Sequence, residues 1–329
     1  MTEKEQNSFI SIIQNMQLST DQKVNKLYAE LEKLSNNTLL SKPISIFESI
    51  ENEELIFNSR NNLCKQINLN DPSLESKLGF LNKRELVIVA GRPAMGKTQF
   101  LIHLANSIAE NHSVMYYSLD LNISDLSLRF LANESGVSYN QNKERSSIFK
   151  VKNNFKNKKI HLVDSPINSL FQFKQYLKNQ IIKLNIEVVF IDYLQLLSDK
   201  NYRIREQEIS SIMKNLKSLA KELNVCFILA SQLSRSVELR GGDKRPILSD
   251  LRESGSIEEY SDKVIFIYRP EYYQLTMDEH GESTLNKGEL IVAKNNTGMT
   301  QIINIERDAE FTRFYVKENL SWDFKVEGL

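Results

Sequence analysis

Cysteine is nearly absent. The chain of 329 residues carries only Cys64 and Cys226, far apart, and Cys226 sits inside the apolar stretch "VCFILA". Both read as small packing residues rather than a disulfide or a metal pair. Histidine is scarce too, with four residues and none at ligand spacing, which argues against a zinc site. No apolar run approaches the ~18 residues of a membrane span. The N-terminus "MTEKEQNSFI" lacks an apolar secretory core, so the expected setting is cytoplasmic. Net charge is missing as well, because 42 basic residues balance 42 acidic ones. That excludes a globally basic coat but leaves room for a local basic channel. Internal repeats and low-complexity segments are not evident.

Two textures are present. Residues 1–68 contain no glycine and a single proline, Pro43. There Phe9, Ile12, Ile13 and Met16, then Val24, Leu27, Leu31 and Leu34, recur at helical spacing. Such short amphipathic pieces need a cover for their apolar stripes. They form either a small helical subdomain packed on its own chain or a collar that packs on another subunit. From 69 to 329, apolar β-branched runs alternate with helical patterns. Strands are expected at 85–90, 113–119, 159–164, 187–197, 225–231 and 263–269, and helices at 97–110, 123–134, 168–185 and 205–223. Near-continuous apolar strands alternating with helices predict an α/β domain with a mostly parallel, twisted sheet covered on both faces. The tail "GELIVAKNNTGMTQIINIERDAEFTRFYV" predicts antiparallel strands with tight turns.

The segment "GRPAMGKTQ" follows the run "ELVIVA" and precedes a helical pattern. G-x-x-x-x-G-K-T between strand and helix is a phosphate loop. Its candidate nucleotide-binding residues are Gly91, Arg92, Pro93, Ala94, Met95, Gly96, Lys97, Thr98 and Gln99. Gly91 and Gly96 let main-chain N–H groups turn toward phosphate oxygens, and the helix N-terminus adds its dipole. Lys97 is expected to reach the β- and γ-phosphates, and the Thr98 hydroxyl to ligate Mg²⁺. "EVVFIDYLQLL" supplies the acid such a metal needs, Asp192 at the end of a buried strand, where a carboxylate is costly unless it works beside a cation. Gln232 follows the next buried strand and could sense the γ-phosphate or the attacking water.

"ELVIVAGRPAMGKT", "VVFIDYLQLL", "LASQLSRSVELRGGDKRPILSDLRESGSIEEYSDKVIFIYRPEYY" and "GELIVAKNNTG" resemble the ATPase domain of the DnaB-type replicative DNA helicases, over residues 69 to about 317. The resemblance implies a RecA-like P-loop core and a homo-hexameric ring. It implies ATP and Mg²⁺ bound between neighbours, single-stranded DNA in the central channel, and a helicase loader or other replication proteins as partners. It carries catalytic roles to Lys97, Thr98, Asp192 and Gln232, with Thr98 and Asp192 at the metal. It also carries DNA contact to Arg252, Glu253 and Gly255. A Ser-Gly-rich loop there lets N–H groups approach phosphates, and Arg252 adds a charge-assisted contact. Around it Arg235, Arg240, Lys244, Arg245 and Arg252 outnumber Glu238, Asp243 and Asp250, a mild local positive excess.

Three departures bear on activity. Asp120 stands where the family has the Glu that polarises the attacking water, and it is one methylene shorter. Lys294 matches a hairpin lysine offered to the neighbour's ATP, but Asn296 occupies the place of the arginine finger. Arg307 and Arg313 lie further along as candidate substitutes. The N-terminal region is also shorter than the family's collar domain, which puts ring loading and primase coupling in doubt. The leading expectation is therefore an ATP-dependent DNA helicase, with activity reduced by Asp120 and Asn296. The alternatives are a catalytically weakened nucleotide- and DNA-binding protein and a RecA-like ATPase acting on protein partners.

Overall fold

The computed structural model describes residues 66–317 apart from 139–144, 167–168, 200–201, 252–254, 278–280 and 309–311, together with short stretches between residues 10 and 50. Contacts divide the chain into two units, Met1–Cys64 and Lys65–Leu329. In the first unit, residues 10–14 and 22–24 are helical; Phe9, Met16, Leu31 and Leu34 of the expected stripes lie outside the described residues. None of the described helices is long and apolar enough to cross a membrane.

The second unit opens with a short antiparallel pair, β1 (Gln66–Ile67) and β2 (Leu81–Asn82), around α1 (Pro72–Leu78). Local chemistry sets the ends of α1. Asp71 accepts the Leu74 N–H at 3.0 Å, Pro72 opens the helix, and Gly79 closes it at φ 72°. Then come β3 (Leu86–Gly91), α2 (Lys97–Ile108), β4 (Val114–Ser118), α3 (Ile123–Ser135), β5 (Ile160–Val163), α4 (Leu170–Leu184), β6 (Val188–Asp192), α5 (Arg205–Leu223) and β7 (Cys226–Gln232). The chain continues through α6 (Gly255–Tyr260), β8 (Lys263–Tyr268), β9 (Lys287–Asn295), β10 (Gln301–Arg307) and β11 (Phe314–Val316).

One nine-stranded sheet has the order β11-β10-β9-β8-β3-β7-β6-β4-β5. The pairs from β8 to β5 are parallel, and β8–β9, β9–β10 and β10–β11 are antiparallel. Strand alternation divides the core between the faces: Val87 and Val89 share a cluster with Phe100 and Leu104 of α2, while Leu86 and Ile88 share one with Ile212 and Leu216 of α5. Cys226 is a fully buried free thiol.

The expected strand 187–197 is too long. β6 stops at Asp192 and Leu194–Leu196 forms a 3₁₀ turn. Leu194 and Leu197, three residues apart, are buried while Leu196 is exposed. That is the period of a 3₁₀ turn, which an unbroken apolar run conceals.

Candidate functional site

Parallel register brings the key positions to one end of the sheet. Gly91 pairs with Gln232, and Ser118 with Asp192. The loops after β3, β4, β6 and β7 therefore open together at the carboxyl ends of the strands, where open α/β sheets bind ligands.

The loop after β3 makes a tight bend. Gly96 has φ 96° and serves as the N-cap of α2 without a side-chain cap, so side chains leave the first N–H groups of this helix open to a ligand. Ala94 is also left-handed, at φ 60°. At Gly91 the crowding is spatial: a Cβ would meet the Ile267 carbonyl oxygen at 3.2 Å and Met95 Cβ at 3.4 Å. Pro93 and Ala94 are exposed and Met95 is buried beneath them. Lys97 Nζ turns back to donate to the carbonyls of Gly91 and Arg92, each at 3.0 Å. Burial lowers the Lys97 ammonium to about 8, with Asp192 pulling it up and Arg92 pushing it further down.

Asp192 is 3% exposed. Burial raises its pKa; hydrogen bonds from the Thr98 and Tyr116 hydroxyls and the charge of Lys97 act against that, while Asp120 adds to it. Tyr116 Oη donates to Asp192 Oδ2 at 3.0 Å. The half-buried Gln232 is set by a neighbour that sequence reasoning passed over. Gln195 Nε2 donates to Ser231 Oγ at 2.9 Å, and its Oε1 accepts the Gln232 N–H at 3.1 Å. Arg205 in turn donates to the carbonyls of Gln195 (2.8 Å) and Leu197 (3.0 Å), pinning the turn that carries Gln195. Asp120, just beyond β4, is exposed.

Two loop residues point to structural duties. Arg92 is buried, bonding Glu238 and the Leu233 carbonyl at 2.8 Å each. Gln99 is buried with its amide on the Thr312 carbonyl at 2.8 Å. A further anchor lies outside the motif: Arg269 Nη1 donates to the Ala94 carbonyl at 3.0 Å and the same guanidinium pairs with Glu271. Arg307 closes the set on Glu271 at 2.8 Å.

The remaining candidates lie elsewhere. Lys294 faces Val264 across β8–β9, and Val264 faces Ile88 across β3–β8, so the lysine sits level with the first half of β3. At ~3.3 Å per residue, that is on the order of 10 Å along the sheet from the loop of its own chain. Lys294 Nζ donates to the Glu258 carbonyl at 2.7 Å. Asn296 is exposed, and its main-chain N–H donates to the Asp262 carbonyl at 2.9 Å. Neither proposed substitute finger is poised to act as one. Arg307 is held by Glu271, and Arg313 donates to the carbonyls of Asn133 (2.7 Å) and Glu134. Arg252 and Glu253 lie outside the described residues; Gly255 is exposed, with open space where a Cβ would stand. The positive excess around them is largely spent within the chain: Arg240 pairs with Asp250, and Arg245 with Asp243 and Glu289.

The assembled set comprises a bend of main-chain amides, a lysine, a hydroxyl and a buried carboxylate. It can grip an anion through N–H groups and hold a hard cation through oxygen donors. The Thr98 hydroxyl, close enough to oppose the rise in the Asp192 pKa, and the Asp192 carboxylate are oxygen donors that fit Mg²⁺.

Residues 67–316 match the family model for the DnaB-like helicase C terminal domain. The chain is 35% identical over 254 residues to a probable replicative DNA helicase of Trieres chinensis, covering 74% of this chain and 55% of that protein. It is 37% identical over 276 residues to the replicative DNA helicase DnaB of Rickettsia prowazekii, covering 73% and 56%. Against the replicative DNA helicase DnaC of Bacillus subtilis the identity is 30% over 315 residues, covering 89% and 67%. The chain thus spans about half the length of the first two relatives. Among solved structures, an isolated ATPase domain superposes with a TM-score of 0.72 at 28% identity, covering 83% of this chain and 99% of that one. A DnaB-like replicative helicase, described with its interactions with primase, gives 0.70 at 26% identity, covering 94% and 76%.

Proposed function

The chain belongs to the DnaB-like helicase C-terminal domain family, and from that premise we propose that it is an ATP-driven motor on single-stranded DNA, working as a homo-hexameric ring. The observation that carries this reading is the meeting of Gly91, Asp192 and Gln232 at one sheet end, with the uncapped start of α2 between them. In this role the loop amides and Lys97 hold the phosphates of ATP. Bound Mg²⁺, held through Thr98 and Asp192, neutralises charge that develops on the transferring phosphoryl group. Gln232, fixed by Gln195, faces the γ-phosphate, and Asp120 orients the attacking water.

Lys294 and Asn296 serve the nucleotide of the next subunit, since their own loop is at the other end of the strands. Arg252, Glu253 and Gly255 contact the DNA backbone. The open space at Gly255 favours close approach by a ligand, because nothing among the described residues requires a glycine there. A loader or other replication proteins would place the ring on DNA.

A slow motor is favoured by one specific observation: Asn296 stands at the finger's place in the hairpin, and the two arginines that follow it, Arg307 and Arg313, are engaged within the chain. Asn296 itself sits on Asp262. Loss of a finger removes about 10³–10⁵ from turnover in related phosphoryl-transfer enzymes. Hydrolysis of Mg²⁺-ATP with and without single-stranded DNA, beside a mass measurement of the assembly, tests the proposal. DNA-stimulated hydrolysis by a ring supports it, and the absence of both stimulation and strand separation refutes it.

A further inference from the structure

Tyr116 carries a hydroxyl at a place where packing asks for none. Its ring is fully buried, stacked on Phe190 of β6 (5.7 Å, 9°) and met edge-on by Phe130 of α3 (5.7 Å, 86°). Both aromatic neighbours are phenylalanines, and a phenol in such company costs free energy unless its O–H finds a partner. That partner is Asp192 Oδ2, at 3.0 Å. The ring's two contacts fix the hydroxyl, and the hydroxyl in turn fixes the carboxylate.

We infer that Tyr116 is a positioning residue for the metal site: its buried hydroxyl, 3.0 Å from Oδ2, holds Asp192 in one orientation, so that the carboxylate presents a fixed edge to the cation shared with Thr98. A carboxylate accepts at about four positions. Occupying one of them from the core side directs the others toward the loop. Groups that orient metal ligands in this way contribute about tenfold to a hundredfold to metal affinity.

The inference rests on the reading of Asp192 as the metal's acid, and the experiment separates the two. A fluorescent nonhydrolysable ATP analogue is bound to the full chain while Mg²⁺ is titrated, for wild type, Tyr116→Phe and Phe130→Leu. Tyr116→Phe keeps the ring and its packing, so the Mg²⁺ midpoint is expected to rise by about 10–100-fold with affinity in the absence of metal unchanged. Phe130→Leu removes an aromatic contact without touching the hydroxyl, so it should lower the melting temperature and leave the midpoint within about twofold of wild type. A wild-type midpoint in Tyr116→Phe, or an equal rise in Phe130→Leu, overturns the inference alone. Analogue binding by the wild type that is indifferent to Mg²⁺ overturns the metal-acid reading, and this inference with it.

Discussion

Replacing Glu271 by Gln probes whether the phosphate loop is held from outside its own motif. Burial raises the Glu271 carboxyl, but hydrogen bonds from Arg269, Arg307 and the Asn286 N–H overcome this and hold it at about 2, against 4.5 for a free glutamate. The carboxylate is only 13% exposed and each arginine 14%, so solvent screens the cluster weakly. Holding the carboxyl at about 2 rather than 4.5 corresponds to about 3.5 kcal/mol before solvent screening and about 3 kcal/mol once it is allowed for. Glutamine keeps the shape and loses the charge, leaving Arg269 and Arg307 without their shared anion. Breaking buried pairs from one side costs about 3–5 kcal/mol, which agrees.

The pH dependence has a definite sign. Because the folded-state pKa lies below the unfolded one, the stabilisation is fully present above about 4.5 and is lost as pH falls through about 2. Urea unfolding at pH 7 should therefore show Glu271→Gln less stable by about 3 kcal/mol, or about 6–12 °C in melting temperature. The two curves should converge toward pH 2. The loop should respond as well, since Arg269 reaches the Ala94 carbonyl. Loss of about one net hydrogen bond's worth of order there weakens nucleotide binding roughly tenfold. A gap that is the same at pH 2 and pH 7 would refute the electrostatic account. Unchanged nucleotide affinity despite lost stability would refute the link to the loop.

The other predictions concern the proposed motor directly. Lys97→Ala should abolish nucleotide binding with little change in the circular dichroism of the fold; tight ATP binding in that variant would show that the bend does not grip phosphate. Gln195→Ala should lower turnover by roughly tenfold or more with nucleotide affinity kept, because it frees the Gln232 main chain rather than the loop; a single-turnover assay beside equilibrium binding separates the two. Asp120→Glu combined with Asn296→Arg should raise hydrolysis by at least about 10²-fold if a missing finger limits the rate, and steady-state kinetics at saturating ATP would show no gain if it does not. Arg252→Ala should weaken single-stranded DNA binding and flatten its salt dependence by about 0.7 per lost phosphate contact while ATP binding persists; an unchanged slope removes Arg252 from the interface.

How far these positions were legible in sequence depended on whether the signal was local. Strands and helices of the parallel half announced themselves by period, and the expected helix 205–223 coincides with α5 because Ile209, Ile212, Met213, Leu216 and Leu219 repeat along one face. The helix α1 was legible and passed over: "DPSLESKLG" holds its N-cap, its proline and its closing glycine in nine residues. The phosphate loop, Asp192 and Gln232 were readable because each ends an apolar run, but their mutual geometry was not, since it depends on strand order. Tyr116, Gln195 and Arg269 gave no pattern at all. Tyr116 looks like one more aromatic in "SVMYYSL", and only the pairing of β4 with β6 sets its hydroxyl against Asp192.

The charges mislead for the same reason. Counting Arg240 and Arg245 as a basic channel ignores Asp250 and Glu289, the latter 44 residues from Arg245 along the chain and 2.6 Å away in the fold. With those pairs formed, a DNA contact in this region falls to few groups: main-chain N–H donors near Gly255, Arg252, and whatever Arg235 and Lys244 add. Lys244 already lies over the Tyr273 ring, 5.5 Å from its centre. A contact built mainly from amides tracks a backbone without reading bases. The expected outcome is binding to single strands of any sequence with a shallow salt slope, set by about two or three phosphates rather than by the roughly six to ten of a strongly basic binder. A steep slope, near about −0.7 for each of six or more phosphates, would mean that Arg240 and Arg245 leave their acidic partners when DNA arrives. The triple variant Asp243→Asn, Asp250→Asn, Glu289→Gln tests that directly: freeing the two arginines from all three carboxylates should then steepen the slope from shallow to intermediate, and no change would show that neither faces the strand.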